Sequence, residues 1–286
     1  MKKTLILALA LFTFASCEDA FTDGELSSTD IVKGLKTALK IGTDSSTAIL
    51  SVKDGYFKDE AVKILLPQEA QYVQEKLEML ENVTAFASVS NAISGELDNL
   101  ILSINRSAED AAKDAAPIFS DAITNLSIVD GLEILNGVVP EGSEKAYEEF
   151  DSLAATHYLK NQTYNALVNA YAPKINSSLD KKLVGNASAT SLWNGIRGKW
   201  NGLVEQYNNN KVAQTTLEIL AAANNWDLNI HEVNTNLGEY TTGKALDGLF
   251  MKVGDQEKEI RKNPFQWASD IIQKVFGSVS EKLNEL

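Results

Sequence analysis

The sequence predicts a mainly α protein, a single multi-helix domain behind a cleaved leader. Three observations carry this expectation. Apolar residues recur at three- and four-residue spacings through most of the chain. Strand signals are confined to Ala61–Leu66 (AVKILL), ended by Pro67, so at most a minor strand near 61–66 is expected. The chain downstream of residue 16 is also long enough to bury a sizeable core, and 44% of the sequence is hydrophobic.

The first element is the leader, MKKTLILALALFTFASC, in which Lys2 and Lys3 precede an apolar run from Leu5 to Phe14. That run falls far short of the roughly 20 residues a spanning helix needs, so residues 1–16 read as a signal peptide. Its end, Phe14-Ala15-Ser16-Cys17, resembles the bacterial lipobox, although phenylalanine stands where leucine is usual. Cys17 is the only cysteine, which makes it the expected lipid-attachment residue and leaves no thiol for a disulfide or a nucleophile. Several acyl chains hold a protein on a bilayer firmly, since each buried methylene adds about 0.8 kcal/mol. The lipid bilayer, reached through acylated Cys17, is thus an expected partner, and the outer membrane of a bacterial envelope the expected residence. Glu18 and Asp19 leave the leaflet and surface exposure open.

A tether over 17–30 should lead into a helical domain over 31–286. Ile31, Leu35, Ala38 and Leu39 form its first stripe. Pro67 with Glu69 opens a helix through Leu80, and Leu97, Leu100, Ile101, Ile104 and Ala108 form the next stripe. Ser127 with Asp130 has the spacing of a capping box. Trp193, Ile196, Trp200, Leu203, Val204 and Tyr207 make an aromatic stripe that reads as core. Thr241 or Thr242 is the expected cap of a helix carrying Leu246, Leu249, Phe250 and Val253. Asn263 before Pro264 is an N-cap with proline at N1, and Trp267, Ile271, Val275, Val279 and Leu283 continue to the end. Two segments read as inserts, 138–151 and the asparagine-rich 208–236.

Charge and motif spacing exclude several functions. A formal net charge of −13 repels phosphate backbones, so no nucleic-acid partner is expected. Residues 238–245 fit the spacing of a phosphate loop, but Ala245 stands where the magnesium-binding hydroxyl belongs and VNTNL is too polar to precede it as a buried strand. His231-Glu232 begins like a zinc-protease motif, yet Thr235 replaces the second histidine. No cofactor and no His/Cys metal site are expected. The acidic groups Glu148, Glu149 and Asp151, and Asp255, Glu257 and Glu259, read as solvated faces.

The stretch INRSAEDAAKDAAPIFSDAI, residues 104–123, carries the most pattern. Ile104, Ala108, Ala111, Ala115, Ile118, Phe119 and Ala122 share one side of a helix, and the alanines let a neighbour approach closely. Opposite them Arg106 meets Asp110 and Glu109 meets Lys113 at i,i+4, and Pro117 predicts a kink or restart. On a solvated face Arg106→Ala would cost well under about 1 kcal/mol, whereas enclosure by a second layer would raise that to about 3–5 kcal/mol. Enclosure is the expectation, because a domain this large needs a helix covered on both sides.

This stretch, with GLKTALKIGTDSSTAILSVKDGYFKDEAVKILLP (34–67), LEILNG (132–137), AATHYLKNQTYNALVNAYAP (154–173) and YTTGKALDGLFMKVGDQEKEIRKNP (240–264), resembles the bacterial family called domain of unknown function 4197. The resemblance implies a mainly helical exported domain and brings no catalytic residues with it. Only three of the 26 basic residues are arginines, and Arg106 and Arg261 lie in these pieces. Arginine suits planar carboxylate pairing. Asn105, Arg106, Glu109, Tyr158, Thr163, Tyr240 and Arg261 are therefore the candidate polar cluster, structural or ligand-binding. The expected function is a noncatalytic binding or scaffold protein of the envelope with a protein or small-molecule partner. The alternatives are a hydrolase using Tyr, Thr or carboxylate groups, and a carrier of an apolar ligand.

Overall fold

The computed structural model describes residues 26–139 and 150–283, apart from positions 82 and 85, with side chains as far as residue 280. The leader, Cys17 and most of the tether lie outside the described residues, as do Glu148 and Glu149 of the first insert. Among the described residues the chain forms α1 (Ser28–Leu50), α2 (Gln68–Leu80), α3 (Ala87–Ala112), α4 (Ala115–Asn125), α5 (Gly131–Leu135), α6 (Ala154–Leu179), α7 (Ala189–Asn209), α8 (Lys211–Asn224), α9 (Leu237–Lys262) and α10 (Asp270–Leu283). A single 3-10 turn, Pro264–Gln266, sits between the last two. None of these helices is long and apolar enough to cross a membrane.

The mainly α reading holds, and the possible strand is absent. Among the described residues only an isolated bridge, Val184 with Ala187, has β character. Residues 61–66 gain a substitute for a strand partner: Asn105 Oδ1 accepts from the Ile64 N–H at 2.9 Å, and its Nδ2 donates to the Ile64 carbonyl at 2.7 Å. One buried side-chain amide thus satisfies the groups that a neighbouring strand would have paired.

Helix α9 lies at the centre, packed most extensively on α1 and α6 and also against α10 and α3. Helix α1 carries α4, α5 and α10, while α3 bridges α6 and α7 and takes α2 on its flank. The four apolar stripes meet in one core that includes Leu35, Leu39, Leu100, Ile104, Trp200, Leu246 and Phe276. Close approach of α1 to α10 depends on Gly34, where a Cβ would stand 2.7 Å from Val275.

Several helix boundaries depart from the sequence expectation, each for a local reason. Helix α1 starts at Ser28, ahead of residue 31, because Ser27 Oγ accepts from the Asp30 N–H. Helix α9 is capped by Asn236, whose Oδ1 accepts from Gly238 N and Glu239 N. Thr241 and Thr242 are therefore a turn inside the helix and fully buried. Asp130 stands at the N-cap of the five-residue α5 with no side-chain cap hydrogen bond, so Ser127 and Asp130 make no capping box. Asn263 and Pro264 open only the 3-10 turn. Trp267 consequently falls outside α10, whose buried face is Ile272, Val275, Phe276 and Val279. The restart at Pro117 is real: α3 ends at Ala112, and proline occupies the first turn of α4, where its missing N–H would have had no helical partner.

The two inserts behave differently. The first leaves and returns at one point, with Asp151 N donating to Gly137 O at 2.8 Å. The second is mostly ordered as α8, followed by an extended strap from Asp227 to Asn236.

Candidate functional site

The C-terminal half of α3 is covered on nearly all sides. Ser103, Ile104, Asn105, Ser107, Ala108, Glu109, Ala111 and Ala112 are buried, and Arg106 and Asp110 mark its open edge. The expected i,i+4 pairs are not the ones that form. Arg106 reaches Asp54 at 2.5 Å and Glu109 at 2.6 Å, while Lys113 turns to Asp110 at 2.5 Å. Glu109 Oε1 accepts from the backbone N–H groups of Tyr56 and Phe57 at 3.2 and 3.1 Å. The loop after α1 supplies Glu109 with two backbone N–H donors and Arg106 with the Asp54 carboxylate. Hydrogen bonds from Arg106 and Lys58 hold the Asp54 carboxyl below its usual range. Asn105, Arg106 and Glu109 together therefore fasten residues 54–64 to α3.

Tyr240 fastens the far end of the same segment, donating to Leu65 O at 3.0 Å and Leu66 O at 3.3 Å. The other predicted residues lie elsewhere. Arg261 is buried and binds Glu257 Oε1 at 2.7–2.8 Å and the carbonyls of Ile134 and Leu135, at the end of α5. Glu257 also accepts from Ala155 N, Thr156 N and Thr156 Oγ1, so it caps the start of α6 from another helix. It is thus a buried anchor and not part of a solvated face. Tyr158 donates to Ser127 O, and Thr163 folds back on Leu159 O of its own helix. The seven residues make no common site; six of them tie separate backbone segments, and Thr163 bonds only its own helix.

The acidic and histidine motifs resolve in the same way. Asp151 is buried, not solvated, and sits 2.5 Å from His157 Nδ1 while accepting from Leu153 N. No hydroxyl among the described residues hydrogen-bonds the other ring nitrogen of His157. Residues 238–245 lie within α9 and form no phosphate loop. Among the described residues no group of three His, Cys, Asp or Glu side chains could hold a metal ion.

The strap 227–236 builds a different kind of surface. It has no strand partner, so side chains of α2 and α7 take its backbone groups. Tyr72 OH donates to Asn229 O and accepts from His231 N, and Lys76 donates to Asp227 O. The indoles of Trp200 and Trp193 donate to His231 O and Thr235 O, and Asn201 binds both polar groups of Val233. Glu69, which the sequence places at the start of its own helix, instead accepts from Asn234 N, Thr235 N and Thr235 Oγ1. Burial opposes the charge on Glu69, but these donors outweigh it and hold the carboxyl below its ordinary range.

Two open grooves flank the strap and share Thr235. One, of about 610 Å³, is lined by Lys63, Leu66, Pro67, Glu69, Tyr240 and Lys244. The other, of about 420 Å³, lies between the C-terminal end of α6 (Asn176, Leu179, Asp180), the α7 residues Thr190, Trp193, Asn194 and Arg197, and the start of α9 (Asn234–Gly238). Arg197 is half-buried and, unlike the other two arginines, makes no ion pair or hydrogen bond among the described residues; Asp180 on the same groove has no ion pair either. A side chain at Gly238 would press on Asn176 Oδ1, 2.0 Å from the Cβ position, so glycine lets α9 meet α6 here. Sequence reading missed Arg197, Asp180 and Asn176 because the groove forms only where α7 meets the end of α6; the one available signal was the scarcity of arginine.

Comparison with known proteins follows this geometry. No curated protein and no solved structure matches the chain. A family match does cover residues 25–277, nearly all of the helical body just described. The chain therefore belongs to the family described as protein of unknown function (DUF4197).

Proposed function

We propose that this protein is an exported, lipid-anchored, noncatalytic binding domain of the bacterial envelope, and that its ligand seat is the groove between the ends of α6 and α9. The observation that carries the seat is the pair of uncompensated opposite charges, Arg197 and Asp180, which line one groove without bonding each other. Asn176, Asn194 and Asn234 add amide groups able both to donate and to accept. The ends of the two long helices reinforce the charges, negative where α6 stops and positive where α9 starts. A ligand with a carboxylate and an ammonium group, such as an amino acid or a short peptide, matches this polarity. Arginine also offers a planar fork for the carboxylate.

Two measurements test the reading. Calorimetry of the mature chain with the dipeptide alanyl-alanine should give saturable heat, lost tenfold or more in Arg197→Ala and absent for the dipeptide blocked at both ends. No heat, or unchanged binding by Arg197→Ala, would reject the seat. Cys17→Ser should release the protein from the membrane fraction and abolish acyl-probe labelling; retained labelling would reject the anchor.

A further inference from the structure

A third groove, of about 710 Å³, lies between the entry to α1 and the segment leading into α5. Its walls are the entry to α1 (Leu26, Ser28, Val32) and the segment from Ile128 to Glu133. It is open, and exposed apolar side chains stand beside Asp130 and Glu133 on its rim. Val129 is 81% exposed, the most exposed large hydrophobic among the described residues, and Leu132 is 58% exposed. Exposed valines and leucines scattered singly are ordinary on protein surfaces. Here they converge with Leu26, Ile128 and Val32 on one depression, and Leu26 is where the described body begins.

We infer that this rim is the face that rests on the bilayer. The inference builds on the lipid anchor proposed above and adds an orientation that the anchor alone does not set. From Cys17 to Glu25 there are nine residues, which reach at most about 30 Å even when fully extended. The groove therefore stays within a short radius of the acyl chains, and at such an effective concentration a weak apolar contact suffices for docking. A second copy of the chain is the poorer occupant, since a stable interface needs roughly 800 Å² from each partner and this rim consists of a few side chains. The surrounding charges refine the lipid class. Asp130 and Glu133 line the groove, and Asp30 nearby is already paired with Lys274 at 2.8 Å. An acidic border selects neutral, zwitterionic headgroups and disfavours anionic ones.

The test uses the lipidated mature chain in phosphatidylcholine vesicles doped with nitroxide-labelled lipid. Acylation blocks Cys17, the only native thiol, so Leu132→Cys or Val129→Cys introduces one labelling site. Ile219→Cys, on the exposed face of α8, serves as the distant reference. Fluorophores at 129 and 132 should be quenched several-fold more than one at 219, and the difference should shrink when phosphatidylglycerol replaces half of the lipid. Vesicle-bound protein with equal quenching at all three positions would overturn the orientation and leave the anchor standing. Energy transfer between labels at 132 of different molecules, without lipid quenching, would assign the rim to a second copy and overturn the inference. Failure of the protein to float with vesicles would overturn the anchor and the orientation together.

Discussion

Replacement of Arg261 by alanine probes the most enclosed charge among the described residues. The guanidinium is 1% exposed and its partner Glu257 2%. Removal leaves Glu257 with three donors, two backbone N–H groups and the Thr156 hydroxyl, but with no counter-charge. It also strands the Leu135 carbonyl, leaves the Ile134 carbonyl with the Gly137 N–H, and deletes the contact over the Phe276 ring. Breaking a buried pair from one side costs about 3–5 kcal/mol. Arg106→Ala gives the internal comparison. Arg106 is 16% exposed, its partner Asp54 can take water and keeps Lys58, and Glu109 retains two N–H donors on one oxygen. Asp54 Oδ1 and Glu109 Oε2 lose their partner, but only the Glu109 carboxylate is buried, so the expected loss is smaller, about 1–3 kcal/mol. Urea unfolding of the mature domain, compared at equal m values, reads both losses. Arg261→Met should remain unstable because the Glu257 carboxyl is left buried without its partner, and adding Glu257→Leu should recover part of the loss. Arg261→Ala within about 1 kcal/mol of the parent, or a larger loss for Arg106→Ala, would refute the account of which charge is enclosed.

Two further outcomes follow from the geometry. Gly34→Ala should destabilise by about 1–3 kcal/mol, because its methyl would press into Val275 of α10, whereas Gly95→Ala on the open face of α3 should stabilise by about 0.5–1 kcal/mol; thermal melts with both shifts of one sign would contradict the packing. Burial raises the Asp110 carboxyl, but bonds from Lys113, Lys181 and Ser178 outweigh it and hold it at about 2, against an ordinary 3.8. A lowered folded value means that this stabilisation is present above about pH 4 and is lost as pH falls through about 2. Exposure of both lysines keeps it on the order of 1 kcal/mol, so the stability gap between parent and Asp110→Asn should close on acidification; a gap unchanged at pH 2 would refute the pairing.

Sequence alone determined the elements that depend on neighbours in the chain. Apolar spacing located the cores of α1, α3, α7 and α9, and Pro117 located the break between α3 and α4, because periodicity and a missing N–H act within a few residues. The low arginine count singled out Arg106 and Arg261 as candidates, structural or ligand-binding, before either partner was visible. What only the tertiary structure decided is which groups meet across the chain. Helical spacing offered Arg106 the nearby Asp110, yet Asp54, 52 residues away, took it, since loop carboxylates and N–H groups become available only when the loop is laid on α3. Glu257 looked solvated because its acidic neighbours are, and burial came from α5 and α6 folding over one side of its helix. The groove of Asn176, Arg197 and Asn236 likewise exists only after three segments converge. Local periodicity fixes which face of a helix is apolar, but it carries no record of which distant segment will cover that face or leave it open.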